Sequence, residues 1–204
     1  KHAEELSYAS RKLTSIEING TFYRTQGPAS FAKWRDETPE GFVFAVKGHR
    51  AVVNKKVLAE AAEPLDWFFK SGITELGDKL GPVMWQFAPF KKFDAADFGA
   101  FLNLLPRQAG GRSLMHAVEV RSKSFLLPEF IALLREHNVA AVYADSDEHP
   151  QIGDVTADFV YYRLRKPEYS AADIDAIAAR ARGLLAEGRD LYLMFKHEET
   201  PEGA

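Results

Sequence analysis

Short alternating runs decide the fold, and two of them are Ser15-Ile16-Glu17-Ile18-Asn19 and Ala117-Val118-Glu119-Val120-Arg121. Successive side chains of a β-strand point to opposite faces of the sheet. We therefore expect the isoleucines and valines of these runs to pack under helices, and the polar residues to face the other side. Strands that are apolar on one face and polar near their carboxyl ends are typical of a barrel surrounded by helices.

Runs rich in β-branched and aromatic residues recur along the chain and alternate with helical periodicity. The predicted strands are Ser15–Ile18, Phe42–Val46, Pro82–Phe87, Ala117–Val120, Ala140–Ala144, Phe159–Leu164 and Leu191–Phe195. Helices are predicted over 28–37, 94–105, 128–137 and 170–187. The interval 146–158 contains Pro150, Gly153 and several acids but no helical stripe, so we predict a long helix-free loop, a kind that often carries function.

Seven such strands suit two architectures, a closed eight-stranded barrel or an open doubly wound sheet. The open sheet usually has a glycine-rich phosphate turn after an early strand, and the sequence contains none. We therefore predict an α/β protein with an irregular TIM-type (β/α) barrel. Its first strand is expected upstream of Lys1, and residues 1–204 are predicted to form a single domain that is incomplete at both ends.

Composition excludes several kinds of protein and of functional site. The 204 residues carry a net charge of −3 and no cysteine, which excludes disulfides, thiolate metal sites and a cysteine nucleophile. The net acidity argues against a broad basic surface for nucleic acid. No apolar run approaches the roughly 18 residues that span a bilayer, and the N-terminus does not resemble a signal peptide. We expect a cytoplasmic protein with no membrane partner.

Polar residues stand at the end of every predicted strand, where β/α barrels hold their catalytic groups. The candidate catalytic residues are the carboxylates Glu17, Glu119 and Asp145. The candidate ligand-binding residues are Asn19, Tyr23, Arg24, Lys47, Gln86, Arg121, Arg163 and Lys196. This mixture of charges favours a pocket in which the cations hold an anionic small molecule while a carboxylate acts as acid or base.

Other interpretations of these residues stay open. The same charges can pair as a structural network that closes the barrel. Carboxylates can bind a divalent metal, although the neighbouring lysine and arginines disfavour it, so we expect no cofactor. The sequence contains no GxSxG turn, so it gives no sign of a serine nucleophile. Phe22 and Tyr23 can plug the barrel instead of contacting a ligand, while Trp34, Trp67 and Trp85 are expected in the core.

A set of motifs in a fixed order resembles the YecE-like family, known as domain of unknown function seventy-two. They are Ser15-Ile16-Glu17-Ile18-Asn19-Gly20-Thr21-Phe22-Tyr23-Arg24, Phe31, Trp34, Thr38-Pro39-Glu40-Gly41-Phe42, Phe44-Ala45-Val46-Lys47, Lys79-Leu80-Gly81-Pro82-Val83-Met84-Trp85-Gln86-Phe87, Val118-Glu119-Val120-Arg121, Ala144-Asp145 and Thr156-Ala157-Asp158-Phe159-Val160-Tyr161-Tyr162-Arg163-Leu164. The resemblance implies an irregular β/α barrel with a first strand upstream of Lys1, and it implies no established reaction.

The chain departs from the family pattern at several positions. Many members have histidine and glycine where this chain has Arg165 and Lys166, and paired asparagines where it has Lys196 and His197. Phe125 stands where a tryptophan is common. These differences make the rim of the predicted pocket more basic than in the family.

Three functions are compatible with these residues. The first is a hydrolase or lyase that acts on a phosphorylated or otherwise anionic small molecule or nucleotide. The second is a non-catalytic module that binds nucleic acid or another anionic partner. The third is a structural barrel with a salt-bridged core. The sequence does not predict an oligomeric state.

Overall fold

The computed structural model describes residues 4–195. Within this range the chain forms two compact units, one made of residues 4–88 and 94–116 and the other of residues 89–93 and 117–195. No helix among the described residues is long and apolar enough to cross a membrane.

The first unit contains three parallel strands that pair in chain order, with helices between them. Its elements are α1 (Glu5–Ala9), β1 (Ser15–Ile18), α2 (Pro28–Glu37), β2 (Val43–Lys47), α3 (Arg50–Val53), α4 (Ala62–Lys70), β3 (Leu80–Phe87), α5 (Ala95–Leu104) and the small antiparallel pair β4 (Gln108–Ala109) and β5 (Arg112–Ser113). Short 3-10 helices cover Gly20–Phe22, Leu58–Glu60 and Ile73–Lys79.

Trp85 is the centre of the first unit's core. Its side chain is fully buried on the helix-facing side of β3, where its ring packs edge-on against Phe68 of α4 and Phe101 of α5. The indole N–H donates to Nδ1 of the buried His116 at 3.2 Å, and Nε2 of His116 lies 2.8 Å from the carbonyl oxygen of Pro106. Burial lowers the pKa of His116 to about 4, so the ring is neutral near pH 7.

The second unit repeats the same plan with four parallel strands in chain order. Its elements are β6 (His116–Val120, whose first residue is counted with the first unit), a 3-10 helix (Lys123–Phe125), α6 (Pro128–Glu136), β7 (Ala140–Asp145), β8 (Phe159–Leu164), α7 (Ala171–Ala186) and β9 (Asp190–Phe195). Helix α7 begins with a capping box in which Ser170 and Asp173 satisfy each other's backbone N–H groups. Val160 and Tyr162 of β8 pack against Leu184 of this helix.

Three arginines hold the helix-free segment 146–158 in place. Arg180, Arg135 and Arg189 donate to the carbonyl oxygens of Gly153, Val155 and Ala157 at 2.9, 3.3 and 2.8 Å respectively. The hydroxyl of Thr156 donates to the carbonyl oxygen of Val139 and accepts from the N–H of Ala141, both at 2.7 Å. Side chains therefore supply the hydrogen bonds that a helix would have supplied from its own backbone.

These elements confirm the predicted α/β fold of TIM type. All seven predicted strands are present with bounds within two residues of the prediction, and 146–158 contains no helix. Strands that pair in chain order within each unit are typical of a barrel, whereas a doubly wound sheet reverses its order. Helices α3 and α4 and the β4–β5 pair were not predicted. Trp85 is core as predicted and Trp34 is half-buried, but the prediction for Trp67 is wrong because 47% of this residue is exposed.

Candidate functional site

In the first unit, the polar residues of the strands share one face. Glu17 of β1 pairs with Ala45 of β2, and Lys47 of β2 pairs with Met84 of β3. Since partners in a sheet point to the same side and alternate residues return to it, Glu17, Lys47 and Gln86 lie on one face and Trp85 on the other. Lys47 and Gln86 are buried and Glu17 is half-buried, which agrees with the predicted alternation.

Lys47 lies beneath the turn that follows β1. Its ammonium group is 4.5 Å from the centre of the Phe22 ring, within the range of a cation–π contact. The hydroxyl of Thr21 donates to the carbonyl oxygen of Lys47 at 2.6 Å, so the turn is tied to the end of β2. Phe22 therefore covers the end of β2 as a packing residue.

Tyr23 and Arg24 follow Phe22 along the chain, and the Tyr23 ring packs edge-on against the Phe22 ring at 5.1 Å. Tyr23 is 65% exposed and Arg24 is exposed, while Asn19 is half-buried at the end of β1. The guanidinium group of Arg50 lies 6.0 Å from the Tyr23 ring. Tyr23 is therefore not a plug within the first unit, and its ring is accessible.

His49 is a polar residue at a strand end that the sequence interpretation missed. It follows Lys47 by two residues, and its Nδ1 accepts from the N–H of Ala51 at 3.1 Å. Its ring packs edge-on against the half-exposed Trp67 at 4.9 Å. Burial is the main cause of a lowered pKa for His49, so the ring is neutral at pH 7. Its place just beyond a strand end was the available signal.

In the second unit, Glu119 lies between two arginines. The Glu119 side chain is fully inaccessible to solvent. One carboxylate oxygen accepts from Nη1 of the equally buried Arg163 of β8, and the other accepts from Nε of Arg121 at 3.0 Å. Burial alone would raise the pKa of Glu119, but Arg163 and then Arg121 outweigh it and lower the pKa to about 2. The carboxylate is therefore ionised across the physiological range.

Arg121 is partly exposed to solvent, whereas Arg163 is fully buried. A guanidinium group has five N–H donors, and Arg121 uses Nε for Glu119. Its side chain is 22% exposed, and its Nη atoms donate to none of residues 4–195. Glu119 thus fixes the base of the guanidinium group while the terminal donors remain available.

Asp145 does not join Glu119 and Arg163. The strand register pairs Tyr143 with Tyr162 and Ala144 with Arg163, so Asp145 lies on the opposite face of the sheet from Arg163. There its carboxylate is 3.7 Å from the ammonium group of Lys166. The prediction that Asp145 shares one pocket with Glu119 is wrong, because β7 continues through Asp145 and the alternation turns this residue toward α7.

The remaining predicted positions are placed as follows. Phe125 is buried, and Arg165 is half-buried at the end of β8. Lys196 and His197 lie outside the described residues. Among residues 4–195, no three His, Asp or Glu side chains come together in a way that can hold a metal ion.

Parallel β/α units whose strands pair in chain order define an α/β protein of the TIM-barrel class. The chain belongs to the DUF72 family, because the family model described as "Protein of unknown function DUF72" matches residues 1–204. The resemblance found in the strand-end motifs is confirmed.

A curated relative and two solved structures agree with this assignment. The chain is 28% identical over 159 residues to the UPF0759 protein YunF of Bacillus subtilis strain 168, a match that covers 74% of this chain and 55% of that protein. The chain thus matches about half the length of that relative.

The solved structures are two DUF72 family proteins. The one from Enterococcus faecalis V583 has a TM-score of 0.81 at 17% identity, covering 100% of this chain and 90% of its own. The one from Thermotoga maritima MSB8 has a TM-score of 0.76 at 22% identity, covering 96% of this chain and 83% of its own. At these identities the similarity shows a shared fold.

Proposed function

We propose that this protein binds an anionic small molecule, carrying a phosphate or a carboxylate, through Arg121. The observation that carries the proposal is the state of this side chain. Its Nε is fixed by Glu119, its Nη groups donate to no described residue, and part of it remains exposed. A planar guanidinium group in this state has paired donors that match the oxygens of a phosphate or carboxylate.

In this proposal Glu119 is a positioning residue. With a pKa of about 2 and both oxygens occupied, it holds no proton to donate near neutral pH and is a weak base. In this proposal Glu119 therefore does not have the acid–base role expected from the sequence. Arg163 keeps the carboxylate ionised and in place, so the pair has the structural role that the third hypothesis gave to the whole set of charges.

We extend the proposal to a hydrolase or lyase reaction on the bound anion. A preorganised guanidinium group stabilises negative charge that develops on a phosphoryl or carboxylate oxygen in a transition state. Glu17, which is half-buried in β1 of the first unit, stays a predicted catalytic carboxylate of that unit. Whether the protein turns over a ligand is decided by the second part of the experiment below.

The experiment measures binding first and turnover second. Wild type, Arg121→Gln and the control Arg182→Gln, which alters an exposed arginine on α7, are titrated with inorganic phosphate, phosphate monoesters and dicarboxylates by calorimetry and thermal shift. We expect Arg121→Gln to weaken binding by about tenfold or more and Arg182→Gln to leave it unchanged. Equal binding by wild type and Arg121→Gln, or no binding of any anion, would reject the proposal. The anions that bind are then assayed for release of phosphate or loss of substrate.

Nucleic-acid binding is a second candidate, supported by the exposed Tyr23 ring beside Arg24 and Arg50. Accessible aromatic rings next to arginines are the elements on which single-stranded bases stack. Fluorescence anisotropy with a labelled single-stranded oligonucleotide tests it. Tyr23→Ser should weaken binding several-fold, whereas Tyr8→Ser, an equally exposed tyrosine, should not. An equal effect of the two substitutions would remove this candidate.

A further inference from the structure

A separate cavity lies between α7 and the helix-facing side of β7 and β8. Its volume is about 210 Å³, and its principal lining residues are Tyr143, Asp145, Tyr162, Lys166, Tyr169 and Arg180. Arg121 is not among the residues that line it. At this size the cavity is smaller than the roughly 300–1,000 Å³ of sites for drug-sized molecules, so a small ligand is expected.

Tyr162 presents an unsatisfied polar atom in this cavity. The residue is 4% exposed, its hydroxyl oxygen is buried, and that oxygen makes no hydrogen bond of normal geometry with the described residues, although the guanidinium group of Arg180 is close enough to oppose the rise in its pKa. Burial raises the pKa of Tyr162, so the phenol keeps its proton at pH 7. A buried hydroxyl group without a partner is costly, and a ligand that bonds to it removes the cost.

Asp145 is the second group with unused capacity. It is 5% exposed, and its ion pair with Lys166 is 3.7 Å long, beyond the usual length of a charge-assisted hydrogen bond. Lys166 also lies 4.0 Å from Asp173 at the start of α7, so a single ammonium group serves two carboxylates. The neighbouring Tyr169 has its pKa raised to about 12, mainly by burial and further by Asp145, and therefore also keeps its proton.

The charges around the cavity balance. Asp145 and Asp173 oppose Lys166 and Arg180, so neither a free cation nor a free anion is complemented by the lining as a whole. Arg180 is held with its guanidinium group 5.3 Å from the Tyr162 ring and 5.7 Å from the Tyr143 ring, and one of its N–H groups donates to the carbonyl oxygen of Gly153. The cavity thus combines acceptors, donors and aromatic rings around zero net charge.

We propose that this cavity is a second ligand site, for a small neutral polyhydroxylated molecule such as a polyol or a monosaccharide. Hydroxyl groups both donate and accept, so they can donate to Asp145 and bond to the Tyr162 hydroxyl. The C–H faces of such a molecule pack on the tyrosine rings. The site is independent of Arg121, and the proposal does not require the anion site to exist.

The test uses myo-inositol, glycerol and glucose as probes, with inorganic phosphate and glycine as charged comparisons. Binding is measured by saturation-transfer NMR and calorimetry on wild type, Tyr162→Phe and Asp145→Asn. The matched control is Tyr192→Phe, which removes a hydroxyl from β9 in a residue that packs against Phe159 and Tyr161. Arg121→Gln is included to separate the two sites.

We expect one or more of the polyols to bind wild type in the millimolar range or more tightly. Tyr162→Phe should fold with unchanged thermal stability, because it removes an oxygen that makes no hydrogen bond of normal geometry with the described residues, and should bind about tenfold more weakly. Asp145→Asn should also bind more weakly, while Tyr192→Phe and Arg121→Gln should bind as wild type does. The proposal is overturned if no polyol binds, if Tyr162→Phe binds as well as wild type, or if phosphate or glycine displaces the bound polyol.

Discussion

Replacing Glu119 by glutamine tests the energetic role of the carboxylate that lies between Arg121 and Arg163. The substitution keeps the size and shape of the side chain and removes its charge. The guanidinium group of Arg163 is fully buried, so it loses the negative charge that offsets its removal from water. We expect the folded state to be strongly destabilised at pH 7.

Two arguments give the size of the expected loss in the free energy of unfolding. Breaking one partner out of a buried ion pair typically costs about 3–5 kcal/mol. The fall in the pKa of Glu119 from 4.5 to about 2 corresponds to about 3 kcal/mol of stabilisation of the ionised form. Because the glutamine amide can still accept one hydrogen bond, we expect a loss of about 2–4 kcal/mol in the free energy of unfolding.

The lowered pKa of Glu119 sets the direction in which the free energy of unfolding changes with pH. The pKa of Glu119 is lower in the folded than in the unfolded protein, so its contribution is complete above about pH 4.5 and is lost as the pH falls toward 2. Glu119→Gln should therefore reduce the change of stability with pH within this window. Above it the variant should lie below wild type by a constant amount.

Urea unfolding at several pH values, followed by circular dichroism, measures both effects. The matched control is Asp66→Asn, which breaks an exposed pair with Lys70 and should cost no more than about 0.5 kcal/mol. A loss below about 1 kcal/mol for Glu119→Gln at pH 7, or a pH dependence equal to that of wild type between pH 2 and 4.5, would refute the reasoning.

Three further substitutions test the packing and the helix ends. Because burial lowers the pKa of His116 from 6.5 to about 4, stability should fall by up to about 3 kcal/mol as the pH drops through this window, and urea titrations of His116→Gln should lack that dependence. A Cβ added to Gly48 would stand 2.1 Å from the Trp85 ring, so Gly48→Ala should lower stability by about 1–3 kcal/mol. Gly20→Ala is the control, because a Cβ there has nothing within 4 Å, and similar melting temperatures for the two variants would contradict this prediction. Ser170→Ala removes one half of the capping box of α7 and should cost about 1 kcal/mol in urea unfolding, with an unchanged midpoint as the contrary result.

Alternation along the strands made much of the fold predictable. Runs such as 15–18 and 117–120 show polar and apolar residues in turn, and their polar residues do share a face within each unit. Helix α2 was predictable to the residue because Pro28 marks its first turn. The β4–β5 pair was missed because strands of two residues carry no alternation, although Gly110 and Gly111, both at positive φ, form a recognisable turn signal.

The candidate site was less predictable, for a physical reason that Asp145 and Glu119 illustrate. The run Ala140–Ala144 contains no charged residue, so its sequence could not show which face Asp145 would take. The partner of Glu119 is also a tertiary property. Arg121 is two residues away and was an evident neighbour, whereas Arg163 is 44 residues away and meets it only through the pairing of β6, β7 and β8.

The arginines that hold segment 146–158 also impose an order on folding. Arg135 precedes the segment, but Arg180 and Arg189 come after it in the chain. Arg180 lies 27 residues after Gly153, and Arg189 lies 32 residues after Ala157, to whose carbonyl groups they donate. A chain emerging from the ribosome cannot close these bonds until α7 and the start of β9 have been made. The segment should therefore be the last part of the second unit to become resistant to proteases, and a chain truncated before Arg180 should be cleaved there first.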